Sequence, residues 1–161
     1  MKFLSRGIGR ALLSISLLTG ATAALAQSPQ TAPRDLAAEE RNRELVLTFY
    51  DRFFNKHEVA EAAKVVADDY IQHNPHVPDG KEPFVSFFTE LFKKNPDARV
   101  RIVRSAVDRD LVYLHSHSTR GADDRGRAVV DIFRVKDGKI VEHWDVIQAV
   151  PEKAANDNTM F

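Results

Sequence analysis

Apolar residues recur at helical spacing over the first half of the folded region and at every second position over the second half, so helices should precede strands. Val46, Phe49, Tyr50 and Phe53 follow i, i+3, i+4, i+7 and predict one buried face of a helix from about 35 to 55, with Asp35 placed as its cap. Val59, Ala62, Ala63, Val66 and Tyr70 fall along a similar stripe and predict a second, shorter helix. Pro75 disfavours the helical conformation at Asn74, and Pro78-Asp79-Gly80 favours a turn, so 72–80 reads as a loop. Phe84, Phe87, Phe88, Leu91 and Phe92 give a third helical face, with Pro83 tolerated in the first turn and Asn95-Pro96 ending it.

From Ala98 the period becomes two, with strands expected at 98–108, 111–120, 127–136 and 139–149. Turns fall at 108–110, at 121–126 and at Asp137-Gly138. Three helices followed by four strands in hairpin succession predict an α+β domain whose helices cover one face of a bent antiparallel sheet.

The N-terminus carries a different pattern. Lys2, Arg6 and Arg10 precede an apolar run, Ala11 to Leu18, and Ala24-Leu25-Ala26 supplies an A-x-A site before Gln27. Residues 1–26 are therefore expected to be a secretory signal peptide, 27–34 a flexible leader and 35–161 a single domain, periplasmic or secreted. The apolar run is well short of the roughly 20 residues of a membrane span.

Basic and acidic residues balance at 23 each, and losing Lys2, Arg6 and Arg10 with the signal tips the domain slightly acidic. That balance gives no reason to expect nucleic acid or anionic lipid as a partner. The chain has no cysteine, so thiol chemistry and disulfides are excluded. It also lacks a G-x-S-x-G elbow and a Gly-rich phosphate loop.

The chemistry concentrates in Val130 to Gln148. Asp131 lies between Val130 and Ile132, and an unpartnered carboxylate buried in an apolar strand costs several kcal/mol. It must be exposed, paired, or placed in a pocket that uses it. Alternation groups Asp131, Phe133 and Val135 on one face and Val130, Ile132 and Arg134 on the other. A two-residue turn at Asp137-Gly138 would set Val135 opposite Ile140, Phe133 opposite Glu142 and Asp131 opposite Trp144. A three-residue turn with a bulge at Gly138 would instead bring His143 and Asp145 to that face, and both registers stay open, with the shorter turn preferred.

The order Y-x-Q-H-N-P, D-G, aromatic helix, and four strands ending D-x-F-R-V-x-D-G-K-I-V-E-H-W-D resembles the SnoaL-like polyketide cyclases of the nuclear-transport-factor-two-like superfamily. It is especially similar to an exported branch of predicted aldol-condensation enzymes, which shares Tyr70 to Pro75, His115 and the terminal Asn158-Thr159-Met160-Phe161. The resemblance spans about 35–161. It implies a cone-shaped fold with a deep apolar pocket between sheet and helices, a homodimer through the sheet, no cofactor, and an aspartate at the position of Asp131 directed into the pocket. Such folds host many functions, so the site must carry the case.

A carboxylate in a low-dielectric cavity suits proton transfer beside a carbonyl. Asp131, His73 and His115 are the candidate catalytic residues. Tyr70, Asn74, Phe133, Trp144, His117 and Glu142 are expected around an apolar small-molecule carbonyl substrate, with Glu142 in an ion pair near the pocket mouth or the sheet edge. His115 and His117 also point to the same side of a strand, a weak metal-ligand pattern without a firm third ligand. No metal is expected. A noncatalytic binder of apolar molecules is the alternative function.

Overall fold

The computed structural model describes residues 33–161. The expected signal peptide and residues 27–32 of the leader lie outside the described residues.

Helix α1, Leu36–Tyr50, starts where the Asp35 carboxylate accepts the Ala38 amide at 2.9 Å, which satisfies one of the donors a helix start leaves open. It continues as a wide π turn, Asp51–Asn55, in which the Lys56 amide reaches back to the Asp51 carbonyl. The wider turn keeps Phe53 and Phe54 in one cluster with Phe49 and Tyr50. Ring centroids lie 5.1 Å apart for Phe49 and Phe53 and 4.5 Å apart for Tyr50 and Phe54.

The second predicted helix is mostly strand. Helix α2 covers only Val59–Ala62, a tight turn follows at Ala63–Val65, and Val66–Gln72 forms strand β1. Val66 and Tyr70 are buried, and that spacing fits a helical stripe. Here it arises from a strand whose register shifts between Val66 and Ile71. Pairing with the last strand overrode local pattern.

Helix α3, Lys81–Lys94, ends where the Asn95 side-chain amide donates to the Leu91 carbonyl. Strands β2, Arg99–Asp108, β3, Leu111–Thr119, β4, Arg127–Lys136, and β5, Lys139–Ala149, form antiparallel hairpins. The sheet order is β1-β5-β4-β3-β2, with β1 parallel to β5. The fold is the expected α+β arrangement. The sheet is nonetheless open and mixed, with five strands rather than four, and α3 follows the first strand.

The core lies between the helices and the inner sheet face. Val46 and Phe53 of the helical layer meet Val112, Leu114 and Ile140 of the sheet, all at most 1% exposed. The outer face is different, with Val130 42% and Val146 72% exposed.

Candidate functional site

The turn between β4 and β5 decides which side chains enter the cavity. Asp137 and Gly138 both have positive φ, 50° and 71°, as a two-residue type I′ turn requires. Val135 accordingly opposes Ile140. One residue later the register slips, and Arg134 opposes Glu142, leaving Val141 as an extra residue. The Val135 amide turns away to the Asp110 carbonyl at 2.8 Å, while Arg134 Nε donates to Glu142 at 2.8 Å. From there Phe133 opposes His143 and Asp131 opposes Asp145. The short turn and the Val135–Ile140 pair are as expected, but the bulge at Val141 replaces the expected Phe133–Glu142 and Asp131–Trp144 pairs. Trp144 and Glu142 go to the outer face.

A cavity of about 350 Å³ lies between the inner face and α1 and α3. Phe84, Phe88 and Leu91 of α3 supply part of an apolar wall. The polar end gathers Tyr50, Tyr70, Gln72, Asn74, Asp131, His143 and Asp145. Asp131 is 5% exposed and His143 7%.

Each polar group there has a partner that orients it. Tyr50 donates to Asp131 Oδ2 at 2.8 Å, and its hydroxyl lies 3.3 Å from Ser116 Oγ. Burial, together with the nearby Asp131 carboxylate, pushes the Tyr50 hydroxyl well above the ordinary phenol range, so Tyr50 remains a donor. His143 Nε2 meets Asp131 Oδ1 at 3.1 Å and Nδ1 meets Gln72 Oε1 at 2.9 Å. The Asn74 amide N–H also donates to Gln72 Oε1, at 2.9 Å, which identifies that atom as the acceptor. His143 Nδ1 therefore carries a proton. The contact at Nε2 then needs one more, held either by the imidazole or by Asp131. Asn74 Nδ2 donates to Asp145 Oδ2 at 2.6 Å.

Tyr70 accepts from Gln72 Nε2 at 3.1 Å, and burial raises its hydroxyl far above the ordinary phenol range. Its own proton has no acceptor among the described residues.

Asp131, Tyr70, Asn74 and Phe133 thus line the cavity. The other sequence candidates lie elsewhere. His73 Nε2 meets Glu142 Oε1 at 2.9 Å and stacks on Trp144 with centroids 4.8 Å apart, while Arg134 lies over the Trp144 ring. His115 opposes Val130 and so shares the outer face, where its Nδ1 accepts from Arg104 at 2.6 Å. His117 donates to the Arg125 carbonyl at 2.8 Å and packs on Phe161, 4.3 Å between centroids. His73, His115, His117, Glu142 and Trp144 are absent from the cavity because alternation and the bulge turn them outward.

Asp131, His143 and Asp145 offer one ligand atom each within 4.8 Å of one another, the spacing a cation needs. This trio, not His115 and His117, is where the described residues could seat a metal. Its observed contacts form a proton-sharing chain instead: Tyr50 to Asp131, Asp131 with His143, His143 to Gln72.

Only weak sequence signals point to the other polar residues of the cavity. Tyr50 sits on a helix face otherwise built from phenylalanine and valine, and a buried phenol needs a partner. His143 and Asp145 were visible only through the bulged register.

No curated protein sequence matches significantly. Among solved structures, a provisionally assigned ketosteroid isomerase from Kribbella flavida is 19% identical with a TM-score of 0.60, over 73% of this chain and 85% of that one. A SnoaL-like protein of unknown function from Burkholderia thailandensis is 16% identical, TM-score 0.60, over 69% and 97%. An NTF2-like protein of unknown function from Mesorhizobium loti is 24% identical, TM-score 0.59, over 73% and 98%. These likenesses concern the fold. A family profile described as SnoaL-like polyketide cyclase matches residues 44–155, and with this fold around it the chain belongs to that family.

Proposed function

We propose that the protein is a cofactor-free acid/base catalyst acting on a small, largely apolar carbonyl compound with an enolisable carbon. The observation that supports this is the buried contact between His143 Nε2 and Asp131 Oδ1, which shares one proton inside an aromatic-walled cavity. With that proton on His143, Asp131 is a carboxylate held by Tyr50 and can take a proton from the substrate's α-carbon. The C–H electrons move to the carbonyl oxygen. Tyr70, whose hydroxyl proton is uncommitted, donates a hydrogen bond to the enolate so formed.

The enolate has three fates. Returning the proton to another carbon isomerises the substrate, loss of a β-hydroxyl dehydrates it, and attack on a second carbonyl forms the C–C bond of an aldol step. The phenylalanine wall also supports a second reading, a noncatalytic binder of apolar molecules.

Proton exchange separates the two. Aryl ketones incubated in D₂O with the protein should exchange their α-protons faster than in buffer, read by NMR, and Asp131→Asn should abolish the gain. Ketones that bind without any enhanced exchange would remove the catalytic reading and leave the binder.

Two further proposals concern context. The signal-like segment 1–26 supports export to the periplasm or medium. The exposed Val130 and Val146 on the outer face support a homodimer through the sheet, which sedimentation of the purified domain tests directly.

A further inference from the structure

The cavity has oppositely charged ends. Along the inner face of β4 the residues run Arg127, Val129, Asp131, Phe133, from rim to depth, and Arg99 and Arg120 join Arg127 at the rim. At the other end stand Asp131 and Asp145.

The rim guanidiniums are not neutralised by a carboxylate contact. Arg34, Arg43, Arg52, Arg109 and Arg134 each sit against a carboxylate. Among the described residues, Arg120 and Arg127 have no side-chain ion-pair partner within 4.0 Å, and Arg99 donates only to the Pro96 and Ala98 carbonyls. Asp124 lies nearby, but its oxygens accept the Arg120 and Gly126 amides, both at 2.9 Å. Those contacts, and after them the charges of Arg127 and Arg120, hold its carboxyl below the ordinary range, while its oxygens stay committed to the two backbone amides. Ser118, on the inner face of β3, lines the same rim.

A neutral ligand would use none of this. An anion near Asp131 and Asp145 would be repelled, whereas an anion at the rim would meet guanidiniums that form bidentate bonds with carboxylate or phosphate. We infer that the cavity takes a carbonyl compound with an apolar body and a terminal carboxylate or phosphate, the anion held by Arg127 and Arg120 while the carbonyl end faces Asp131.

The spacing limits its length. Four residues along a strand span about 13 Å, and the arginine side chain covers part of that gap, so the anion lies a few carbons from the reacting carbonyl. The field between the two ends also sets orientation: the charged end stays at the mouth and the enolisable end goes in. This inference rests on the cavity being the substrate site proposed above.

Calorimetric titration with benzoylbutyrate and its methyl ester tests it, alongside α-proton exchange of both compounds in D₂O. The acid should bind about tenfold or more tightly than the ester, as charge-assisted hydrogen bonds require, and salt should erode the difference. Arg127→Gln and Arg120→Gln should reduce the contrast. Arg43→Gln, the same charge change away from the cavity, should keep it. The matching phosphonate assigns phosphate if it outbinds the carboxylate, and carboxylate if it does not.

Equal affinities, or a tighter ester, would overturn the inference even if both compounds exchange protons, and the catalytic reading would then survive alone. A tenfold preference for the acid without proton exchange would leave the anion site standing and remove catalysis. Failure of both compounds to bind at millimolar concentration would overturn both.

Discussion

The two faces of the sheet carry similar side chains and put them to different use. Inside, Asp131, His143 and Asp145 are enclosed with Tyr50, Gln72 and Asn74, and the resulting contacts close into one chain of hydrogen bonds. Outside, His73, Glu142, Arg134 and Trp144 form a partly exposed cluster, and His115 and His117 pack against Phe161. Residue type does not distinguish the faces. Desolvation does, because a polar contact excluded from water is worth more and costs more when broken.

The sharpest break of this comparison is catalytic. Asp131→Asn and His143→Asn should each lower α-proton exchange by about a hundredfold or more, while His73→Ala and His115→Ala leave it unaltered. Loss of exchange in an outer-face variant would erase the distinction.

Next in size is Tyr50→Phe, which removes the donor to a buried carboxylate. It should lower unfolding free energy by about 1–3 kcal/mol in urea titration. An unchanged midpoint would mean that Asp131 finds water or another donor.

The outer cluster should respond to acid more gently. The Arg134 hydrogen bond, and after it His73, hold the Glu142 carboxyl below its ordinary value of 4.5. A lowered folded-state value means that this stabilisation is complete above the ordinary carboxylate range and is lost as pH falls through the depressed value. The midpoint difference between the natural protein and Glu142→Gln should therefore be at most about 1 kcal/mol at neutral pH and shrink below pH 4.5. A gap that widens in acid would reverse the sign argument.

The smallest effect belongs to the C-terminus. Deleting Phe161 removes its stacking on His115 and His117 and the Arg101 cation–π contact, at a cost of about 0.5 kcal/mol. The ring-proton shifts of both histidines should move in NMR spectra. Their constancy would show that the tail does not dock in solution.

Much of this fold was readable because packing and periodicity agreed. The helix from Asp35, the phenylalanine face of α3 and the hairpin at Asp137-Gly138 follow local rules. Strand β1 was hidden, since its shifted register buries Val66 and Tyr70 at a helical interval.

The site was harder for a related reason. In β5 the apolar alternation Ile140, Glu142, Trp144, Val146 looks more like a core face than Val141, His143, Asp145, Ile147 does. The cavity needs the polar set, so hydrophobic pattern pointed Trp144 inward and His143 outward. Asp131 could be located because its own strand has no such slip; its partner could not.

Strand β1 lies parallel to β5, the last strand of the sheet, and the His73 amide donates to the His143 carbonyl at 2.9 Å. Gln72 and Asn74 therefore find His143 and Asp145 only across seventy-odd residues of intervening chain. A ribosome-bound chain that has not yet released β5 has neither the strand that joins β1 to β4 nor the contact between His143 and Asp131. Completion of the site is thus a late event in synthesis, and fragments truncated before β5 should lack the polar end of the cavity as well as being incompletely folded.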